Sequence, residues 1–254
     1  MNTVPLDRLV AERLFHDDQA AGRAETFRAE PSRYEFADGD YLDHETWLRP
    51  AFAALGDLSG KRVLDLGCGH GMAAVVLARA GAEVTACDLS PEYVREAAER
   101  ADANGVSVRC LTADAEALPF ADGEFDAVWG HAILHHLDPA ATARELKRVL
   151  RPGGIAVFAE PWNGNPILRF ARRRLPYPGK HRTRDECPLT PVHLAVLRQQ
   201  FPELKSQGSQ LTSMLGRLVQ RRLTTLEAFD RLVLRVCPKL ESWSRYLVVI
   251  LRNA

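Results

Sequence analysis

The sequence predicts an α/β protein built on a doubly wound, mostly parallel sheet of seven strands with helices on both faces. Three observations point there. Apolar runs alternate with helical segments from residue 61 onward, a glycine loop joins the first run to the first helix, and two further apolar runs close the chain. Strands separated by helices form βαβ units, which cover both faces of a parallel sheet.

Residues 62–66 (RVLDL) read as a short buried strand, and 71–80 (GMAAVVLARA) as a helix that Gly81 stops. A second strand spans 83–87. Ser90 caps, and Pro91 opens, a helix running to residue 103. The third strand is 106–111, and the fourth, 125–129, follows a turn at Ala121, Asp122 and Gly123. A helix over 139–150 ends at Arg151, Pro152, Gly153 and Gly154, before the fifth strand at 155–160 (IAVFAE).

Beyond residue 160 the alternation loosens. Thr190 and Pro191 cap another helix, and strands at 205–212 and 245–251 flank a helical segment near 215–236. Ahead of the sheet the first thirty residues are helical, with Leu6, Leu9, Val10, Leu14 and Phe15 on one face. Residues 1–48 thus form a helical lid and 49–254 a single domain, with a substrate-side insertion at 161–190.

Composition narrows the class. The 254 residues suffice for one sizeable core without staples. Lys plus Arg number 33 and Asp plus Glu 33, so net charge supports neither a nucleic-acid coat nor an anionic-membrane binder. Five dispersed cysteines with no C-x-x-C argue against a disulfide framework or a thiolate zinc site. No apolar run is long enough to span a bilayer, and charges at Asp7, Arg8, Glu12 and Arg13 interrupt any leader-like stretch. A soluble, cytoplasmic chain is expected; oligomeric state is not legible.

Chemistry concentrates around VLDLGCGHG, residues 63–71. Gly67, Gly69 and Gly71 stand where a strand turns into a helix, so a ligand can approach backbone N–H groups closely. A dinucleotide fingerprint needs glycine at position 72, which is Met72, and Asp65 beside the loop would repel a pyrophosphate. A ligand carrying a positive charge fits better. Asp88, after the second strand, is placed to accept from ribose hydroxyls, and Asp114, after the third, from an exocyclic adenine amino group.

The run VLDLGCGHG, then Asp88, then ADAEALPFADGEFDAV, then HHL and RVLRPGG, resembles the class I S-adenosylmethionine-dependent methyltransferases. It is similar to the small-molecule branch that includes ubiquinone, menaquinone and natural-product methyltransferases. The resemblance covers about residues 60–161 and implies a Rossmann-like fold with S-adenosylmethionine as cofactor and S-adenosylhomocysteine as product. By position it implies that Asp65, Gly67, Cys68 and Gly69 line the methionine part, with Asp65 toward the ammonium. Asp88 would hold the ribose, Leu89 would pack on adenine, and Asp114 with Ala115 would read the adenine edge. Gly130 and His131 would lie near the sulfonium.

The implied reaction is methyl transfer to an O, N or C nucleophile of a small molecule. The alternative is a protein of the same fold that keeps the cofactor for another reaction or serves as an assembly partner. A protic acceptor needs a base. His135 is the candidate, and Glu160, at the end of the fifth strand, is a second catalytic candidate. His135 and His136 would point apart on a helix, and no carboxylate–histidine set is evident in the sequence, so no metal is expected. Tyr34, Tyr41 and Trp47 would either wall the acceptor pocket or pack in the core. The segment 169–184 holds seven Lys/Arg and no acid; over the site it would favour an anionic acceptor, and otherwise it is a solvated face.

Overall fold

A computed structural model describes residues 6–174, 188–217 and 224–254. The elements run α1 (Leu6–Ala29), α2 (Asp38–Leu42), α3 (Leu48–Ala54), β1 (Arg62–Leu66), α4 (Met72–Arg79), β2 (Glu83–Asp88), α5 (Pro91–Ala103) and β3 (Val108–Thr112). Then follow β4 (Phe125–His131), α6 (Pro139–Val149), β5 (Leu150–Pro161), α7 (Pro166–Arg174), α8 (Pro191–Gln200), β6 (Lys205–Ser209), α9 (Thr224–Val236) and β7 (Tyr246–Arg252).

Seven strands form one sheet in the order β3-β2-β1-β4-β5-β7-β6. β1 to β5 are parallel, and β7 runs antiparallel between β5 and β6. This is the Rossmann-like architecture of the class I methyltransferases. Strand order reverses between β1 and β4, which opens a crevice at their carboxyl ends, where open α/β sheets bind ligands.

The sheet is buried on both faces. Leu64, Leu66, Val128 and Phe158 pack on the α6 and α8 side, while Val63, Ala127, Trp129 and Val157 pack on the side of α3, α4 and α5. Within this apolar frame Asp65 is 1% exposed, a carboxylate in the middle of the core. Such a group is costly without a partner.

Several boundaries differ from expectation: β3 begins at Val108 rather than 106 and β4 runs on to His131, and two other differences have a local cause. Arg151–Gly154, read as a helix stop, lies in the ladder: Leu150 pairs with Phe125, and an irregularity between Phe125 and Ala127 absorbs the extra residues. β6 ends at Ser209 rather than 212, because Gln210 takes φ 57° and the Arg245 N–H closes onto Ser209 and Gln210 carbonyls. Most of the 169–184 segment, and part of the 215–236 segment, falls outside the described residues.

α1 corrects the sequence reading in a more instructive way. Val10 is 43% and Leu14 59% exposed, whereas Glu12 and Ala20 are buried. The helix docks by a polar stripe: Ser90 Oγ donates to Asp17, Tyr93 Oη donates to Gln19 at 3.0 Å, and Arg23 donates to Glu96 at 3.2 Å. Apolar periodicity found the helix, but of its expected face Val10 and Leu14 are exposed while Leu9 and Phe15 are half-buried.

Candidate active site

Each glycine of the loop has its own reason. At Gly71 (φ 82°) a Cβ would come 2.6 Å from the Ala97 backbone, so glycine lets α4 and α5 close together. At Gly67 (φ 67°) a Cβ would strike the Ile133 side chain at 2.6 Å. At Gly69 (φ 50°) a Cβ would meet nothing within 4 Å, which leaves open space beside its backbone. The loop is tied to β2 by Asp88, whose Oδ2 accepts from Gly69 N–H at 2.9 Å while Oδ1 accepts from Ser90 N–H at 3.0 Å.

A cavity of about 250 Å³ opens at this rim. Of the residues expected from sequence, Gly67, Gly69, Asp88, Leu89, Asp114, Ala115 and His131 line it. Asp114 Oδ1 accepts from Glu116 N–H at 2.8 Å, which fixes the carboxylate at the end of β3. A larger cavity of about 450 Å³ lies between β6, α9 and Trp47, and none of the expected cofactor residues line it.

Asp65 and Cys68 sit behind the cavity wall. Burial, reinforced by the Asp88 charge, pushes the Asp65 carboxyl up to about 8, and the α4 backbone at Ala74 offsets only part of this. Its Oδ2 meets no hydrogen-bond donor among the described residues. That orphaned oxygen, in a dry core beside the glycine loop, is the feature a cationic ligand group would satisfy. Burial raises the Cys68 thiol well above its usual range, and its Sγ lies 3.7 Å from the Gly69 carbonyl oxygen.

Gly130, His135 and Glu160 do not line the cavity. Gly130 is required by packing, since a Cβ there would approach the Phe158 ring at 2.4 Å. Glu160 is fully buried, with Oε1 accepting from Ile133 N–H (2.9 Å) and Leu134 N–H (2.8 Å) and Oε2 paired with His135 Nδ1 (2.8 Å). The carboxylate therefore frames the turn after β4, and His135 is its partner. The physical reason is local: Leu134–His136 is a 3-10 turn rather than an α-helix, and the two histidine rings lie 4.2 Å apart. From that shared stack His135 turns to Glu160 and His136 to Glu12, 3.1 Å away.

Sequence reasoning missed much of the wall. His136, Glu12 and His16 line the cavity, the latter two from α1, as do His70 and Tyr93. Burial would raise the Glu12 carboxyl, but hydrogen bonds to His136 and His16 overcome it and hold the group far below the usual carboxylate range. Burial, with Arg100 nearby, lowers His70 to about 4, and burial also lowers His131. Tyr41 is buried against Phe52, with its hydroxyl 3.4 Å from His131 Nδ1. Trp47 stacks on Tyr246, and Tyr34 donates to Glu99 at 2.6 Å, so both serve packing away from the cavity.

Comparison with known proteins accords with this geometry. Residues 64–158 match the family model of the methyltransferase domain. That stretch is thus similar to a methyltransferase domain. Demethylmenaquinone methyltransferase of Beutenbergia cavernae is 42% identical over 121 residues, 46% of this chain and 49% of that protein. The 2-methyl-6-phytyl-1,4-hydroquinone methyltransferase of Synechocystis sp. is 44% identical over 106 residues, 41% of this chain and 33% of that protein. An S-adenosylmethionine-dependent methyltransferase structure from Mesorhizobium loti shares the fold at TM-score 0.55 and 22% identity, covering 83% of this chain and 99% of that one. The chain spans about half the length of the first curated relatives it matches. The matched residues span the glycine loop and most of β1 to β5, while α1, β6, β7 and the other segments after β5 lie beyond them. No described helix is long and apolar enough to cross a membrane.

Proposed function

We propose that this protein transfers a methyl group from S-adenosylmethionine to a nucleophilic O, N or C atom of a small-molecule acceptor. The buried, unpartnered Asp65 oxygen carries the reading, because the cofactor's ammonium group is the cation it lacks. When bound, the cofactor supplies an activated methyl on a sulfonium, so the protein's share is alignment and exclusion of water. Asp88 would accept from the ribose, Leu89 would cover one face of the adenine, and Asp114 with Ala115 would take its edge.

His131 stands at the end of β4 beside Tyr41 and is kept neutral by burial, so its imidazole can accept a hydrogen bond or a proton at neutral pH. Glu160 and His135 act by fixing the turn that carries His136 and Ile133 to the cavity. α1 covers the opening and keeps water out. Both curated relatives described above are named for quinone or hydroquinone methylation, which supports an acceptor of similar size. The basic run at 169–184 would suit an acceptor with an anionic group.

Calorimetric titration with S-adenosylmethionine and S-adenosylhomocysteine, with NAD as control, tests the first half. Saturable binding of the two sulfur ligands alone is expected, followed by methyl incorporation into members of an acceptor panel. An empty site that binds neither would overturn the proposal.

A further inference from the structure

Glu12 and His16 are spaced i, i+4 on α1, so both project from one helix face toward the same point. His136 approaches that point from the turn after β4, 124 residues away in sequence. Glu12 Oε2 lies 3.1 Å from His136 Nδ1 and 3.7 Å from His16 Nε2, and the three donor atoms all fall within 4.8 Å of one another. Ligands on one metal at about 2.0–2.2 Å are separated from each other by little more than 3 Å, so the cluster is nearly at coordination spacing. The rings are also held: His16 packs against Tyr93 and His136, with centroids 5.6 and 5.7 Å away. All three residues line the 250 Å³ cavity.

We propose that Glu12, His16 and His136 form a site for a divalent transition metal ion, zinc in the first instance, whose open coordination positions face the cavity. Two imidazoles and one carboxylate are a donor set for zinc, iron or nickel; magnesium and calcium prefer oxygen ligands throughout. Three protein ligands leave room for an exchangeable fourth, which is the pattern of a working site rather than a structural one. Glu12 and His16 come from α1 and His136 from the sheet domain, so the ion also bolts the helix over the cavity.

The use of the ion rests on the methyl-transfer reading. A hydroxyl or carboxylate oxygen of the acceptor would occupy the open position; the ion would lower the hydroxyl's pKa so that its proton passes to bulk water, and the O–CH3 bond would form as the S–CH3 bond of S-adenosylmethionine breaks, leaving S-adenosylhomocysteine. This selects oxygen acceptors from the wider class.

The test uses the full chain, stripped with chelator and titrated with Co²⁺ followed by visible absorption, then with Zn²⁺ in competition. One equivalent of Co²⁺ with d–d bands and no thiolate charge-transfer band is expected. His16→Ala and His136→Ala should each weaken binding more than about tenfold, while the control His193→Ala leaves it unchanged. Thermal melts of the metal-free variants establish that each is folded, and Glu12→Gln provides a near-isosteric third probe. No stoichiometric binding, a thiolate band, or unchanged affinity in folded His16→Ala and His136→Ala would overturn the proposal. S-adenosylmethionine titrated into the same samples reads the function separately. Metal binding without cofactor binding would defeat the methyl-transfer reading and leave the site standing.

Discussion

α4 follows the glycine loop that borders the cavity and α1 borders it directly, yet the two helices are held by opposite means. α4 buries a run of five residues, Ala73 to Leu77, between β1, β2 and α5, and its entry is closed by Gly71 against Ala97. α1 buries Glu12, points Val10 and Leu14 at solvent, and is fastened by side-chain hydrogen bonds to Ser90, Tyr93, Glu96 and His136. Apolar burial is worth about 25 cal/mol per Å², whereas an exchanged hydrogen bond nets about 1 kcal/mol. One helix belongs to the core; the other is a cover held largely by polar contacts.

That contrast is open to direct attack. Gly71→Val should do the greatest damage, since its Cβ would strike the Ala97 backbone in a left-handed conformation hostile to β-branched residues. We expect a loss of about 3–5 kcal/mol, seen as a large fall in the urea midpoint or outright misfolding. Arg23→Ala, on the polar seam of α1, should cost no more than about 1 kcal/mol, because Glu96 keeps Arg100 at 3.1 Å. Its effect should appear as faster amide exchange confined to α1. Leu14→Ser should change the midpoint by less than about 0.5 kcal/mol, although Leu14 is one of the helix's large apolar residues. A larger loss from Leu14→Ser than from Arg23→Ala would reverse the assignment of the two faces.

The same contrast explains what could be read in advance. β1, β2, β4 and β5 each carry a run of buried apolar residues and α5 is bounded by its own punctuation at Ser90–Pro91, so local signals and packing agree. The carboxylates at the strand ends were legible as a set, because Asp65, Asp88 and Asp114 fall on one rim of the sheet, where helix capping of each would be a coincidence. The pairing of His135 with Glu160, and the bonds from Ile133 and Leu134 N–H to that carboxylate, were not legible in the sequence, because they depend on how the turn after β4 closes. Glu12, His16 and His136 could not be grouped from the sequence at all. The i, i+4 spacing of the first two was present, but α1 was assigned its apolar face, which turned that pair outward.

The account turns on Asp65. In the cofactor-free protein its folded pKa, about 8, lies above the usual aspartate value of 3.8. Its protonated form therefore contributes stability that is whole below the unfolded value and is lost as pH rises through about 8. A cationic cofactor reverses the preference by pairing with the carboxylate. Binding below pH 8 must then release a proton, and affinity should climb as pH rises toward 8.

The decisive measurement is calorimetry of S-adenosylmethionine binding near pH 7, in two buffers of different ionisation enthalpy, for the wild type and Asp65→Asn. We predict release of close to one proton by the wild type. Asp65→Asn should release none and bind at least about tenfold more weakly. Equal affinity and identical proton release in the two proteins would contradict the account.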